Sequence, residues 1–337
     1  MFIYRPGETV WVDRNGNQTI WRLAVIINRQ QQDDRSFYLV QLLSNPRHHQ
    51  PKLVVLEPCL RPWLAWSVPD VGVPFLENKS FDEVNWNELL DDPQYASMDH
   101  VVTGSILAAK QIDASFSLFT KFDAQPDSTG SYYSGMFLGA EKIWVGDALR
   151  ARQSAPGSQT LITVSALVEN VSPDGKSQVT IIGDRFQSIE VSSTTPRSRD
   201  MDFLPARVRD DLEYRNRIVA TIRPIRYELR LIERNARFRL EDINGRWYET
   251  RLLLPVLKPA DQIQQDHGHG RVQDVCDYLN GRRHQNMNED TRRKNRKDAL
   301  KASVPEDCKI SQGLDKPLEP FVIPPGAVVA PQEYVRA

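Results

Sequence analysis

Cysteine is scarce. Cys59, Cys276 and Cys308 are the only three in 337 residues, and none stands in a CxxC pair. That spacing excludes a disulfide framework or a cysteine-rich zinc module and fits a reducing compartment. Long apolar runs are missing too. Nowhere does the chain reach the roughly 20 consecutive apolar residues that a membrane-spanning helix requires, so a soluble, intracellular protein is expected. Charge of one sign is also lacking: 43 basic against 44 acidic residues leave a net charge of -1, so local runs, not the overall balance, must identify partners. A phosphate-cradling glycine loop, a serine-nucleophile elbow and a histidine–glutamate metal helix are all absent. Catalysis therefore has no sequence support, and the expectation is a non-enzyme without a cofactor or a metal.

What is present is β structure. The stretch FLGAEKIWVGDALRAR, Phe137 to Arg152, combines β-branched and aromatic residues (Ile143, Trp144, Val145) with Gly146-Asp147, a pair suited to a sharp bend before Leu149 resumes the extended pattern. Leu161 to Val168 and Ser177 to Ile182 read as further strands around the turn tripeptide Pro173-Asp174-Gly175. Near the start, Thr9 to Val12, Ile20 to Ile27, Phe37 to Leu43 and Lys52 to Leu56 form a second series, with Asn15-Gly16 as a turn. Lys52 to Leu56 would close a small barrel, with Trp63 and Trp66 capping its core.

The reading is mainly β: two small β-barrel modules, at 1–68 and 135–258, joined by a partly helical connector at 69–134 and followed by a basic, proline-punctuated, irregular tail at 259–337. Seven tryptophans are enough to furnish more than one core. In the connector, Phe81 to Leu90 has helical spacing with Trp86 offset, and Val101 to Ile112 reads as helix or strand. Gln125 to Gly130 is a turn-rich break. Ile218 to Ile222, Tyr227 to Ile232 and Ala236 to Ile243 read as strands or a strand–helix mixture, and Tyr227, Leu229 and Leu231 alternate against Glu228, Arg230 and Ile232. Leu252 to Leu257 ends the folded part. Arg271 to Leu279 reads as a short helix, Asp290 to Leu300 as a charged one, and Pro317 to Pro331 as extended.

Three groups are candidates for function. Arg282, Arg283, Arg292, Arg293, Lys294, Arg296 and Lys297 form a basic cluster able to contact nucleic acid or an import factor, against the plainer reading of a solvated helix. Arginines between Arg207 and Arg239 are interleaved with Tyr214, Tyr227 and Phe238, but the acids among them favour a salt-bridged face. Trp11, Trp21, Phe37, Tyr38 and Trp63 could line an aromatic cage for a methylated ammonium, with core packing the weightier account. His267, His269, Cys276 and His284 lack the spacing of a zinc finger and read as a polar loop, as does His48-His49.

At FLGAEKIWVGDALRAR, with RNRIVATI, ARFRLEDI and NGRWYETRLLLPVL downstream, the chain resembles the fungal cryptic-loci-regulator family of transcription-silencing proteins. The resemblance covers about Ser134 to Lys258 and implies a bromo-adjacent-homology (BAH) type β-domain in a non-catalytic subunit of a SHREC-like remodelling and histone-deacetylase complex. The amino-terminal series is more similar to a Tudor or PWWP module. The expectation is a nuclear chromatin adaptor or scaffold whose partners are silencing-complex subunits, with DNA and histone tails as further candidates. The alternative is a reader of methylated histone tails.

Overall fold

The computed structural model describes residues 2–16, 18–122, 130–152, 160–172, 177–282, 291–313 and 319–323. The expected turns at 125–129 and 173–175, Arg283, His284 and most of the 317–331 stretch lie outside these. The structure is mainly β, and the chain divides into two units: Met1–Leu118, Phe137–Lys142 and His284–Arg336 in the first, Phe119–Met136 and Ile143–Arg283 in the second. This division cuts across the four consecutive segments expected from composition.

In the first unit β1 (Thr9–Asp13), β2 (Trp21–Gln32), β3 (Arg35–Leu42), β4 (Lys52–Leu56) and β5 (Leu60–Pro62) form an antiparallel sheet in the order β4-β3-β2-β1-β5. The β2–β3 hairpin turns on two residues, Asp33 and Asp34, both at positive φ (48° and 60°), the backbone of a tight turn whose twist matches its strands. A 3-10 turn, Glu57–Cys59, then carries the chain back so that β5 pairs with β1. The sheet stays open: among the described residues β4 pairs only with β3, so Lys52–Leu56 does not close a barrel.

Residues 69–118 of the expected connector belong to this unit and contribute helices to it. Phe81 lies in a 3-10 turn, and α1 (Trp86–Asp91) buries Trp86 and Leu89, so Trp86 belongs to the apolar face. Residues 101–112 resolve as helix: α2 (His100–Asp113) starts where the Asp99 carboxylate accepts the Val102 N–H at 2.9 Å. Gly104 lets this helix approach the Asn45 backbone, because a Cβ there would come within 2.7 Å of the Asn45 nitrogen.

The strands β6 (Ser115–Lys121), β7 (Ser131–Leu138) and β8 (Glu141–Trp144) carry the chain toward the second unit, whose sheet contains β9 (Ala148–Ala151), β10 (Thr160–Val171), β11 (Ser177–Ser192), β12 (Ile225–Arg239) and β13 (Ile243–Arg246). There β10 pairs with β7, β9 and β11, β12 extends the sheet beyond β11, and β13 pairs with β9. Among the described residues β12 pairs with β11 alone, so this sheet is open as well. The bend predicted at Gly146-Asp147 is present: Gly146 adopts φ 96°, its N–H bonds Val164 O at 2.7 Å, and the Asp147 carboxylate accepts the Trp144 N–H at 2.8 Å.

Two expectations fail for the same reason, that tertiary packing overrides local composition. Ile218 and Val219 end α3 (Ala206–Val219) instead of opening a strand, because Val208, Leu212, Arg215 and Val219 share its buried face. The folded part also continues past Lys258. Thr250 to Leu257 is α4, followed by α5 (Ala260–Gly268), and Val272, Val275, Cys276 and Leu279 are buried. In the first unit, Arg292–Arg293 forms β14, parallel to β6 at Ser115 and Phe116, and α6 (Arg296–Leu300) buries Ala299 and Leu300.

Candidate functional site

The basic run between Arg292 and Lys297 is divided by its own secondary structure. Residues in β14 and α6 point to different surroundings, so five cations adjacent in sequence do not form one patch. Arg292, Arg293 and Lys297 are exposed. Lys294 reaches Asp82 at 2.6 Å, which Lys301 also contacts at 2.9 Å. Burial acts to raise the Asp82 pKa, but the hydrogen bonds from both lysines outweigh it and hold the carboxyl below its usual range.

Arg296 turns inward and is 1% exposed. Its guanidinium donates to the carbonyls of Gly7 (2.7 Å), Gly139 (2.8 Å) and Ala140 (3.3 Å) and to the Thr9 hydroxyl (3.3 Å), and it stacks 4.7 Å from the Phe137 ring centroid. Desolvation pulls its pKa down to about 9, with Glu8 and Asp113 opposing, so it remains a cation at pH 7. Around it, the fully buried Lys142 donates to Pro6 O and the Ser311 hydroxyl, while Glu8 accepts the Lys142 N–H at 3.0 Å. Arg296 is thus a clamp joining three chain segments of the first unit and is withdrawn from contact with nucleic acid. Arg282, in the second unit, is buried as well.

Four of the five aromatic residues proposed for a cage divide between two clusters. Trp11 stacks on Trp63 (5.5 Å between centroids, 19°), and Trp66 packs edge-on against both Trp11 and Trp21. Trp63 is buried, whereas Trp66 is 39% exposed and so does not seal the core. The Arg61 guanidinium already lies 5.0 Å from the Trp21 ring centroid, which places a cation where a methylammonium would have to sit. Tyr38 belongs to the other cluster, against Phe2 and Tyr4. It is fully buried and donates to Glu57 at 2.5 Å. Burial raises the pKa values of both Tyr38 and Glu57. Phe37 is half-buried, one residue earlier on the opposite face of β3.

The second unit contains a polar network that no motif announces. Asp211, on α3, accepts from Thr250 N (2.5 Å), Thr250 Oγ1 (3.0 Å) and Arg251 N (3.3 Å), satisfying the first amides of α4, and from Arg215 at 3.1 Å. Asp274 completes the group, 3.5 Å from Arg215, and accepts Trp247 Nε1–H (3.2 Å) and Cys276 N–H (2.9 Å). Desolvation lifts Asp211 to about 6, while Asp274 and Asp211 keep Arg215 charged against the same desolvation. Alongside, Arg246 stacks on Tyr248 at 4.2 Å, and Arg150 donates to the carbonyls of Arg246, Asn244 and Asn280. The Gly245-Arg246-Trp247-Tyr248 motif is therefore internal, a joint between α3, β13, α4 and the 275–278 turn. The i,i+4 spacing of Asp211 and Arg215 was visible in the sequence, but nothing there distinguished a buried pair from a solvated one.

Of the nine other arginines of the 207–239 region, four are ion-paired among the described residues: Arg207 with Glu249, Arg223 with Glu190 at 3.4 Å, Arg226 with Glu228 at 2.6 Å and Arg239 with Glu241 at 3.5 Å. A cleft of about 490 Å³ lies between β11, β12 and the α4–α5 region, lined by Arg223, Tyr227, Lys258, Asp266, Arg271 and Tyr278, with Asp266 bridging Lys258 (3.4 Å) and Arg271 (3.0 Å). His267 and His269 end α5 and Cys276 is buried, and among the described residues no group of three or more His, Cys, Asp or Glu side chains could hold a metal ion. His48 and His49 are exposed, as expected. No helix among the described residues is long and apolar enough to cross a membrane.

The segment from β7 through the Gly245–Tyr248 motif is also where the chain is similar to known proteins. Residues 132–249 match the family model of Clr2, described as Transcription-silencing protein Clr2. The match covers about a third of the chain. Among solved structures, one titled "Structure of Clr2 bound to the Clr1 C-terminus" aligns at 16% identity with a TM-score of 0.49 over 90% of this chain, and the aligned part is 59% of that chain's length. A search of curated proteins finds no match.

Proposed function

We propose that this chain is a non-catalytic, nuclear adaptor of transcriptional silencing, which holds protein subunits of a histone-deacetylase and nucleosome-remodelling complex on chromatin. The observation that carries the reading is the match of residues 132–249 to the transcription-silencing family. In this reading the second unit is a BAH-type domain, and the first sheet, a four-stranded meander whose fifth strand returns to the first, is a Tudor- or PWWP-like module. The physical arrangement agrees with a scaffold. Three charged residues of the matched region, Asp211, Arg215 and Arg246, are buried and engaged internally, Asp211 fixing α3 to the start of α4, which leaves loops and strand edges for partners. A reader of methylated tails gains no support from the tryptophan cluster, where Arg61 already covers Trp21.

The test is purification of the full chain from nuclear extract of the organism that encodes it, with partners identified by mass spectrometry. A histone deacetylase among stoichiometric partners supports the adaptor. Recovery of partners that have no link to chromatin would overturn it.

A further inference from the structure

β12 ends its sheet, and its outer edge is protected along only part of its length. At Tyr227 the Asn216 side chain accepts the backbone N–H (2.7 Å) and donates to the carbonyl (2.9 Å), and at Leu231 the Asp200 carboxylate accepts the N–H (3.2 Å). These side chains occupy the positions that an added strand would use, so the first half of the edge is closed. At the far end the Arg239 N–H is taken by Asp242 at 2.8 Å. Hydrogen-bonding direction alternates along an antiparallel strand, so Arg237 turns its N–H and C=O to the same edge as Arg239. Among the described residues neither group has a partner.

The side chains over this open stretch are cationic. Asn235, at φ 50°, marks an irregularity that moves the buried positions from Leu229 to Ala236 and Phe238, and it places Arg230, Ile232 and Arg234 on the exposed side before it and Arg237 and Arg239 after it. Arg230 and Arg237 make no ion pair among the described residues. Glu233 is paired with Arg185 at 3.3 Å and Arg239 with Glu241. Ile232 (46% exposed) and Phe203 (50% exposed, beneath Arg234 at 4.2 Å) add an apolar element.

We propose that Ile232–Phe238 receives an extended acidic peptide of another protein, hydrogen-bonded to the Arg237 backbone, with its carboxylates over Arg230, Arg234 and Arg237. A peptide fits better than single-stranded nucleic acid. The open backbone groups pair with a peptide main chain, and the exposed ring at this edge, Phe203, is already covered by a guanidinium and offers no stacking face. The inference rests on the reading of the chain as a holder of protein partners.

The experiment titrates the full chain into a fluorescein-labelled octapeptide of alternating glutamate and valine and follows anisotropy. The expected result is saturable binding, weakened about tenfold or more by the double variant Arg230→Glu/Arg237→Glu and by a peptide N-methylated at alternate residues, which keeps its charge but loses main-chain donors. Equal binding of a lysine–valine octapeptide, indifference to N-methylation, tighter binding of an eight-nucleotide thymidine strand, or absence of saturation would each overturn it. If the double variant retains every nuclear partner of the wild type, the docking inference falls while the adaptor reading stands. If the peptide binds as expected but no chromatin subunit is recovered, the reverse holds.

Discussion

Arg296→Ala empties a position that water does not reach, and its cost separates a structural clamp from a solvated basic helix. The substitution leaves the carbonyls of Gly7, Gly139 and Ala140 and the Thr9 hydroxyl without their donor, each loss worth about 1–3 kcal/mol for a buried acceptor. Two of the four contacts are long, at 3.3 Å, and removing the charge relieves the desolvation that lowers the Arg296 pKa, so the sum is an upper bound. The expected net loss is about 3–5 kcal/mol, the usual cost of breaking a buried charged network. Arg296→Lys keeps the charge but not the planar fork, and it should lose roughly half as much. The assay is urea unfolding of the full chain followed by tryptophan fluorescence, with exposed Lys297→Ala as the comparison, expected within about 0.5 kcal/mol of wild type. If Arg296→Ala costs no more than Lys297→Ala, the clamp does not exist and the run is a solvated helix.

Gly146→Ala should cost about 1–2 kcal/mol from its φ of 96° alone, since nothing lies within 4 Å of the added methyl, whereas Gly7→Ala, at φ 90° and 2.6 Å from the Phe137 ring, should cost more than about 3 kcal/mol in the same urea assay. Asp211 binds its proton more tightly when folded, at about 6 against 3.8, so the stability it contributes is full below pH 3.8 and lost as pH rises through 6. The stability gap between wild type and Asp211→Asn should therefore shrink from pH 4 to pH 7, by up to about 3 kcal/mol, and a constant or widening gap would contradict this. Burial pushes the Cys59 thiol up to about 12 and raises Cys276 and Cys308 too, so iodoacetamide at pH 7.5 should leave all three unmodified until the chain is unfolded.

The strands were legible where apolar residues alternate or cluster between turn residues, as in β1 to β4 and β8 to β11, because that pattern is itself the physical cause of a half-buried strand. Closure was not legible. Whether Leu53 to Leu56 meets a second neighbour depends on sheet twist and on distant segments, not on the strand's own residues. The carboxy-terminal region misled for a related reason. Arg296 stands in a sequence that looks solvated, and only the carbonyls of Gly7 and Gly139, supplied from far away in the chain, make it a core residue. Ile218-Val219 has strand propensity, yet the periodicity of Val208, Leu212 and Arg215 carries it into α3. The Asp211–Arg215–Asp274 network was hidden because a buried ion pair and an exposed one share the same letters.

The central claim, that the chain holds silencing machinery together, is tested most directly by deleting its gene and reading a reporter placed in silent chromatin. The adaptor account predicts derepression with increased histone acetylation at the reporter, restored by the wild-type chain and not by Asp211→Ala. A reporter that remains silent, with acetylation unchanged, would contradict it.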